Sequence, residues 1–171
     1  MNELSASSRK RYDVVIVGGA VIGSSVACFL GNNPDFDGSI LVVEKDPTYE
    51  FSSTAHTNSC MRQQFSAEIN IRISKFVADY VKNLRHYLGD DPRVLDLAFH
   101  SYGYMYLADN DAFADNLRAA QKIQQACGAG TQFMTPDDIA REYPFYNLDG
   151  IIGGNHNLID EGYFDGGTLF D

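Results

Sequence analysis

The spacing of apolar residues changes along this chain, and each change marks a different kind of element. Residues 13–17, Asp-Val-Val-Ile-Val, form an unbroken β-branched run, the pattern of a strand covered on both faces in a parallel sheet. After a glycine cluster, Val21 to Leu30 keeps a helical spacing until Gly31, Asn32, Asn33 and Pro34 stop it. Ser39 to Val43 is a second β-branched strand and ends at Glu44. Strand, glycine turn, helix and strand within roughly 30 residues make a βαβ unit, whose parallel strands require a right-handed crossover.

From Ser66 the period is helical. Ile69, Ile73, Phe76, Tyr80, Leu84 and Tyr87 or Leu88 line one face, Lys75, Asp79, Lys82 and Arg85 the other, and Gly89 ends the helix. Tyr102 to Ala108 reads as a strand weakened by Gly103, with Tyr102, Tyr104 and Tyr106 on one face. Phe113, Leu117, Ala120, Ile123 and Cys127 mark a further helix stopped by Gly128. Thr135-Pro136-Asp137-Asp138 places an N-cap, a Pro in the first helical position and carboxylates at the positive end of a dipole, and Pro144 keeps that helix short. His156, in Gly-Gly-Asn-His-Asn, reads as part of a turn.

Composition narrows the function. A 171-residue chain has room for one domain of ordinary size, and 44% hydrophobic residues with eleven Phe and ten Tyr can fill a real core, which excludes a disordered polymer. Thirteen basic against twenty-three acidic residues give a net charge of −10, which repels phosphate backbones and anionic lipid, so nucleic acid is not an expected partner. Cys28, Cys60 and Cys127 are widely spaced and unpaired in pattern, so neither a disulfide framework nor a zinc site is expected, and a reducing compartment such as the cytoplasm fits. His86 and His100 have no His or Cys one helical turn away, so no metal is expected. Arg9 to Arg11 ahead of the apolar run imitates a secretion signal, but Gly18, Gly19, Gly23, Ser24 and Ser25 interrupt that run. It is also shorter than the roughly 20 residues a spanning helix needs, so membrane insertion is not expected.

The candidate chemistry lies in the glycine turn, Gly18-Gly19-Ala20-Val21-Ile22-Gly23. In a G-x-G-x-x-G fingerprint the first glycine makes the tight turn, the second lets backbone N–H groups approach a pyrophosphate, and the third lets helix and strand pack closely. Gly18 and Gly23 hold the outer places and Ala20 the middle one, where its methyl group would push a phosphate slightly outward. Glu44 follows Gly23 by 21 residues and ends the second strand, where a carboxylate can accept both hydroxyls of a ribose. An acid there disfavours a 2′-phosphate, leaving FAD and NAD. The plainer alternative is a tight βα turn of another α/β domain, with Glu44 a solvated strand end.

Gly18 to Phe29, Glu44-Lys45-Asp46-Pro47, Ser52-Ser53-Thr54 and Met61-Arg62-Gln63-Gln64-Phe65-Ser66 together resemble the D-amino-acid oxidase-like FAD-dependent oxidoreductases. The resemblance is greatest to the branch containing sarcosine oxidase, dimethylglycine dehydrogenase and the FAD-dependent oxidoreductase domain proteins, and it runs from about Tyr12 to the last residue. It implies an α/β fold: a loose tail over residues 1–11, a Rossmann-like FAD-binding part over 12–90, and over 91–171 the start of an α+β substrate domain. Family members are considerably longer, so the chain is expected to be the N-terminal part of such an enzyme, completed by a C-terminal half.

By the same resemblance, Gly18, Gly19, Ala20, Val21, Ile22, Gly23, Glu44 and Lys45 would bind the ADP half of FAD. Ser52 and Ser53 would meet its pyrophosphate and ribityl region, and Ala55, Ser59 and Cys60 would lie along the isoalloxazine. Arg62 falls where a guanidinium would hold a substrate carboxylate, with a structural ion pair as the alternative. His56, in Ser-Thr-Ala-His, has the spacing of a covalent flavin attachment but lacks its glycine-bearing continuation, so FAD is expected to be noncovalent. The implied activity is oxidation of the C–N bond of an amino acid or N-methyl amino acid by hydride transfer to flavin, with an electron acceptor as a further partner. No side chain here has to be its acid or base. An NAD-dependent dehydrogenase domain and a catalytically silent flavin-binding or assembly protein remain the alternatives.

Overall fold

The computed structural model describes residues 11–170, so the expected loose tail at 1–11 lies outside the described residues except for Arg11. The chain is mixed α/β and divides into two compact units between Thr57 and Asn58. The boundary expected from the resemblance lies later, at residue 90, whereas this division follows packing.

In the first unit, strand β1 (Val14–Val17) leads through the glycine turn into helix α1 (Val21–Gly31), and strand β2 (Ile40–Val43) returns parallel to β1 with Val14 opposite Ile40 and Val17 opposite Val43. Asp13 fixes the entry by accepting from both the N–H and the hydroxyl of Ser39 at 2.7 Å. The expectation that β1 is covered on both faces is not met. Val15 is 53% and Val17 87% exposed, because a sheet of two strands covered by one helix leaves its alternate side chains open.

The second unit carries two antiparallel three-stranded sheets. In one, β8 (Gly162–Phe164) runs between β3 (Cys60–Met61) and β4 (Phe99–His100). In the other, β7 (Gly153–Asn157) runs between β5 (Tyr104–Ala108) and β6 (Gln132–Met134). Helix α4 (Asp111–Ala126) packs on that second sheet, and α5 (Pro136–Glu142) against β6 and β7. Met61, Ala78, Val81 and Leu97 form one core cluster and Ala108, Ala114 and Leu117 another. The expected cap of α5 operates, Thr135 and Asp138 forming a reciprocal capping box, and α4 is capped by Asn110, whose Oδ1 accepts from Phe113 N–H at 2.9 Å.

Four expectations are corrected. The long helix from Ser66 to Gly89 is two, α2 (Glu68–Lys82) and α3 (Leu84–Tyr87), because Asn83 between them sits at φ −120, outside helical geometry, while its side-chain amide bonds back to Asp79 O at 3.0 Å. The buried face of α2 is Ile71, Ala78 and Val81. Ile69 and Ile73 stay exposed, and Phe76, Tyr80 and Tyr87 pack on one another instead. Small Ala78 lets the helix sit close to Met61 and Leu97, which the larger predicted face could not. Gly103, at φ 81, breaks the aromatic strand, so Tyr102 lies outside β5, 73% exposed and stacked on His100. Lastly, His156 is not in a turn. The glycine and amide run 153–157 is the central strand, since pairing on both sides satisfies its backbone while Gly153 and Gly154 leave room for the Phe133 ring and the Tyr106 carbonyl.

Candidate functional site

The candidate site of the first unit is built on the glycine turn. Gly18 N–H closes the ladder on Val43 O at 2.8 Å, and Gly18 then turns the chain at φ 98. Gly23 brings helix against strand so closely that a β-carbon there would lie 1.8 Å from Gly18 O. Ala20, the departure from the fingerprint, is the helix N-cap at φ −67, a conformation open to any residue. Helix α1 has no acidic residue in its own first turn. Val21 N–H is capped by Thr54 Oγ1 at 3.3 Å, and Ile22 and Gly23 are the donors that helix geometry leaves without intrahelical partners.

Glu44 is oriented from two sides. Its Oε2 accepts from Gly19 N–H at 2.7 Å and its Oε1 from Asp46 N–H at 2.9 Å, and these two bonds, Gly19 first, hold its carboxyl below the ordinary range. A carboxylate can accept about four hydrogen bonds, so acceptor capacity remains for a further donor, the requirement of a vicinal diol. Open helix donors, a cradle only glycine can line at Gly23, and an ionised and aimed carboxylate fit the ribose and diphosphate of a dinucleotide. The loop after Glu44 is drawn to this turn by Thr54. Within it Ser52 Oγ accepts from Ala55 N–H at 3.1 Å, while Lys45, Ser53, Ala55 and His56 are exposed. Thr54 was not among the site residues expected from sequence, although its place in the Ser-Ser-Thr run was visible.

Ser59, Cys60 and Arg62 belong to the second unit and gather there separately. Ser59 is buried at φ 53, and its carbonyl accepts from Phe164 N–H at 3.2 Å. Cys60 is exposed on β3 opposite Tyr163, and the Tyr104 hydroxyl is pushed up to about 12, first by burial and then by the neighbouring Cys60 side chain. Arg62 is exposed, with its guanidinium 5.2 Å from the Phe65 ring centre, at a depression of about 250 Å³ lined by Cys60, Met61, Phe65, Ser74 and Val77.

Behind Arg62 stands a residue that sequence reasoning missed. Glu161 is fully buried. Its Oε1 accepts from Gln63 N–H at 2.6 Å and its Oε2 from the Gln64 amide at 2.8 Å, and the same Gln64 nitrogen donates to Tyr104 O at 2.9 Å. Burial raises its carboxyl above the ordinary range, opposed by the bonds from Gln64, Gln63 and Asn157 and by the charge of Arg62. The segment after β3 that carries Arg62 is thereby anchored at its neighbours Gln63 and Gln64.

Among the described residues no helix is long and apolar enough to cross a membrane. A profile of the DAO family, FAD dependent oxidoreductase, matches residues 13–169. The FAD-dependent oxidoreductase domain-containing protein 1 of Xenopus laevis is 37% identical over 166 residues, covering 95% of this chain and 33% of that protein. Its namesake in Bos taurus is 40% identical over 160 residues, covering 91% and 32%. The chain thus spans about a third of the length of these curated relatives. Among solved structures, an L-proline dehydrogenase from P. horikoshii superposes with a TM-score of 0.70 at 23% identity, over 92% of this chain and 39% of its own. A glycine oxidase from Geobacillus kaustophilus superposes with 0.68 at 20% identity, over 94% and 42%. At those identities the likeness is one of fold, the Rossmann-like fold of FAD-dependent oxidoreductases. By the extent of the profile match and the identity to these relatives, the chain belongs to the DAO family of FAD dependent oxidoreductases.

Proposed function

We propose that this chain binds the ADP half of a noncovalent FAD and contributes part of the substrate chamber of an enzyme that oxidises the C–N bond of an amino acid or N-methyl amino acid. The observation that carries the cofactor reading is the Glu44 carboxylate, ionised and held by Gly19 and Asp46 beside the head of α1, where the N–H groups of Ile22 and Gly23 have no intrahelical partner. FAD, when bound, supplies the hydride acceptor for this chemistry. The chain's own part is to bind and orient: Glu44 accepts the ribose hydroxyls, the backbone at Ala20 to Gly23 takes the diphosphate, and Lys45 borders the same half. Ser52, Ser53, Ala55, Ser59 and Cys60 are assigned to the flavin side. Arg62 selects a substrate bearing a carboxylate, since a planar guanidinium pairs with it through two parallel hydrogen bonds. A C-terminal half and an electron acceptor complete the reaction.

The test is the absorption spectrum of the purified chain incubated with FAD and desalted, before and after acid denaturation, beside a Gly18→Ala, Glu44→Ala double variant. Flavin bands kept by the chain, lost by the variant and released into the supernatant by acid are the expected result. Colour that stays with the denatured protein would place a covalent bond, with His56 its first candidate. Retention of NAD in place of FAD would overturn the cofactor assignment.

A further inference from the structure

Tyr49 stands apart in the loop that follows Glu44. Its backbone is at φ 57, a left-handed conformation that glycine and asparagine take readily and tyrosine rarely does. Tyr49 N–H reaches Asp46 O at 3.1 Å and Ser52 N–H reaches Tyr49 O at 2.9 Å, bonds that any residue could make. Thr48 and Glu50 on either side are exposed, yet Tyr49 is half-buried.

The ring returns to the glycine turn. A β-carbon on Gly19 would lie 3.0 Å from the Tyr49 hydroxyl oxygen and 3.4 Å from Glu44 Cβ. Gly19 also gives its N–H to Glu44 Oε2 at 2.7 Å, so phenol and carboxylate flank one glycine within one compact unit. Unfavourable backbone geometry persists where surrounding structure enforces it, and such positions gather at ligand sites.

We propose that Tyr49 is a ribose-binding residue of the nucleotide site, its phenol O–H meeting the adenosine ribose beside Glu44. The proposal rests on the reading of the first unit as the ADP-binding part. A carboxylate only accepts hydrogen bonds, whereas a phenol both donates and accepts. Glu44 and Tyr49 together therefore match a vicinal diol, whose hydroxyls donate to the carboxylate while one of their oxygens accepts from the phenol. Gly19 has a second role in this arrangement, because any side chain there would displace the hydroxyl.

The test compares the chain with Tyr49→Phe, which keeps the ring and removes one oxygen, by titration with ADP and with adenosine. The expected result is that both bind the variant more weakly by a similar factor, roughly 3- to 10-fold. In the same samples ADP should slow nitration of Tyr49 by tetranitromethane in the parent chain, read by peptide mass spectrometry, which a merely structural tyrosine would not show. Unchanged affinities would overturn the proposal, and so would a loss confined to ADP, which would put the hydroxyl on the phosphates. If the variant does not fold, nitration of the parent chain decides alone, absence of protection overturning the assignment. A parent chain that binds neither ADP nor FAD would instead refute the cofactor reading, and this proposal with it.

Discussion

Two glycines on one helix give the sharpest test of how the nucleotide turn is built. A β-carbon at Gly23 would stand 1.8 Å from Gly18 O, 2.9 Å from Gly18 C and 3.1 Å from Ile16 Cγ2. Ordinary contact begins near 3.4 Å, so Gly23→Ala must open the gap to the Gly18 carbonyl by about 1.6 Å, against backbone atoms that have no side-chain torsion with which to yield. The head of α1 then moves off β1 and carries Ile22 and Gly23 N–H with it. The cost is about 1–3 kcal/mol of local stability, with loss of nucleotide affinity because the donors are no longer aimed. At Gly31, the last residue of α1, the same methyl group meets only Ile40 Cδ1 at 4.0 Å. Gly31→Ala should therefore stabilise the helix by up to about 1 kcal/mol, since alanine loses less backbone freedom on folding. Amide exchange of peptides spanning β1 and α1, with ADP titrations alongside, reads both effects. Equal protection in the two variants, or retained ADP affinity in Gly23→Ala, would refute the steric argument.

Two further outcomes follow from the second unit. Glu161 is raised by burial, so its contribution favours folding at pH values below its unfolded value and is lost as pH climbs through its folded one. Urea titrations of the chain and of Glu161→Gln at pH 7.5 and pH 5.5 should show the parent gaining relative to the variant on acidification; a difference independent of pH would sink this account. Thr135→Ala removes one half of the α5 capping box and should cost about 1 kcal/mol, seen as faster amide exchange over α5 with α4 unaffected.

The elements legible in the sequence are those whose signal is local. The β-branched runs, the glycine turn and the Thr-Pro-Asp-Asp cap each declare themselves within a few residues, and β1, α1, β2 and α5 stand where they were expected. What was missed is long-range. The run 153–157 has no apolar alternation, because its buried positions are two asparagines and two glycines, and only strands on both sides make it a strand. The buried faces of α2 and α4 centre on Ala78 and Ala114, which a search for large apolar residues passes over. In the site, the glycines and Glu44 were readable from spacing. Glu161 was not, because nothing near it in sequence shows that it receives Gln63 and Gln64 from the far end of the unit.

The hydrogen bond from Val21 N–H to Thr54 Oγ1 changes what nucleotide capture means for this protein. The head of α1 is not a vacant socket but one already held by the chain's own hydroxyl. A phosphate oxygen that takes Val21 N–H must displace it, so binding at that donor is an exchange, and its yield is the difference between an ionic and a neutral acceptor. Returning a neutral hydrogen bond removes about 0.5–1.5 kcal/mol from the gross gain. Because Thr54 belongs to the loop leading out of the unit, the same exchange frees that loop from the turn. Occupancy of the diphosphate site would then be felt at residues that never touch the ligand.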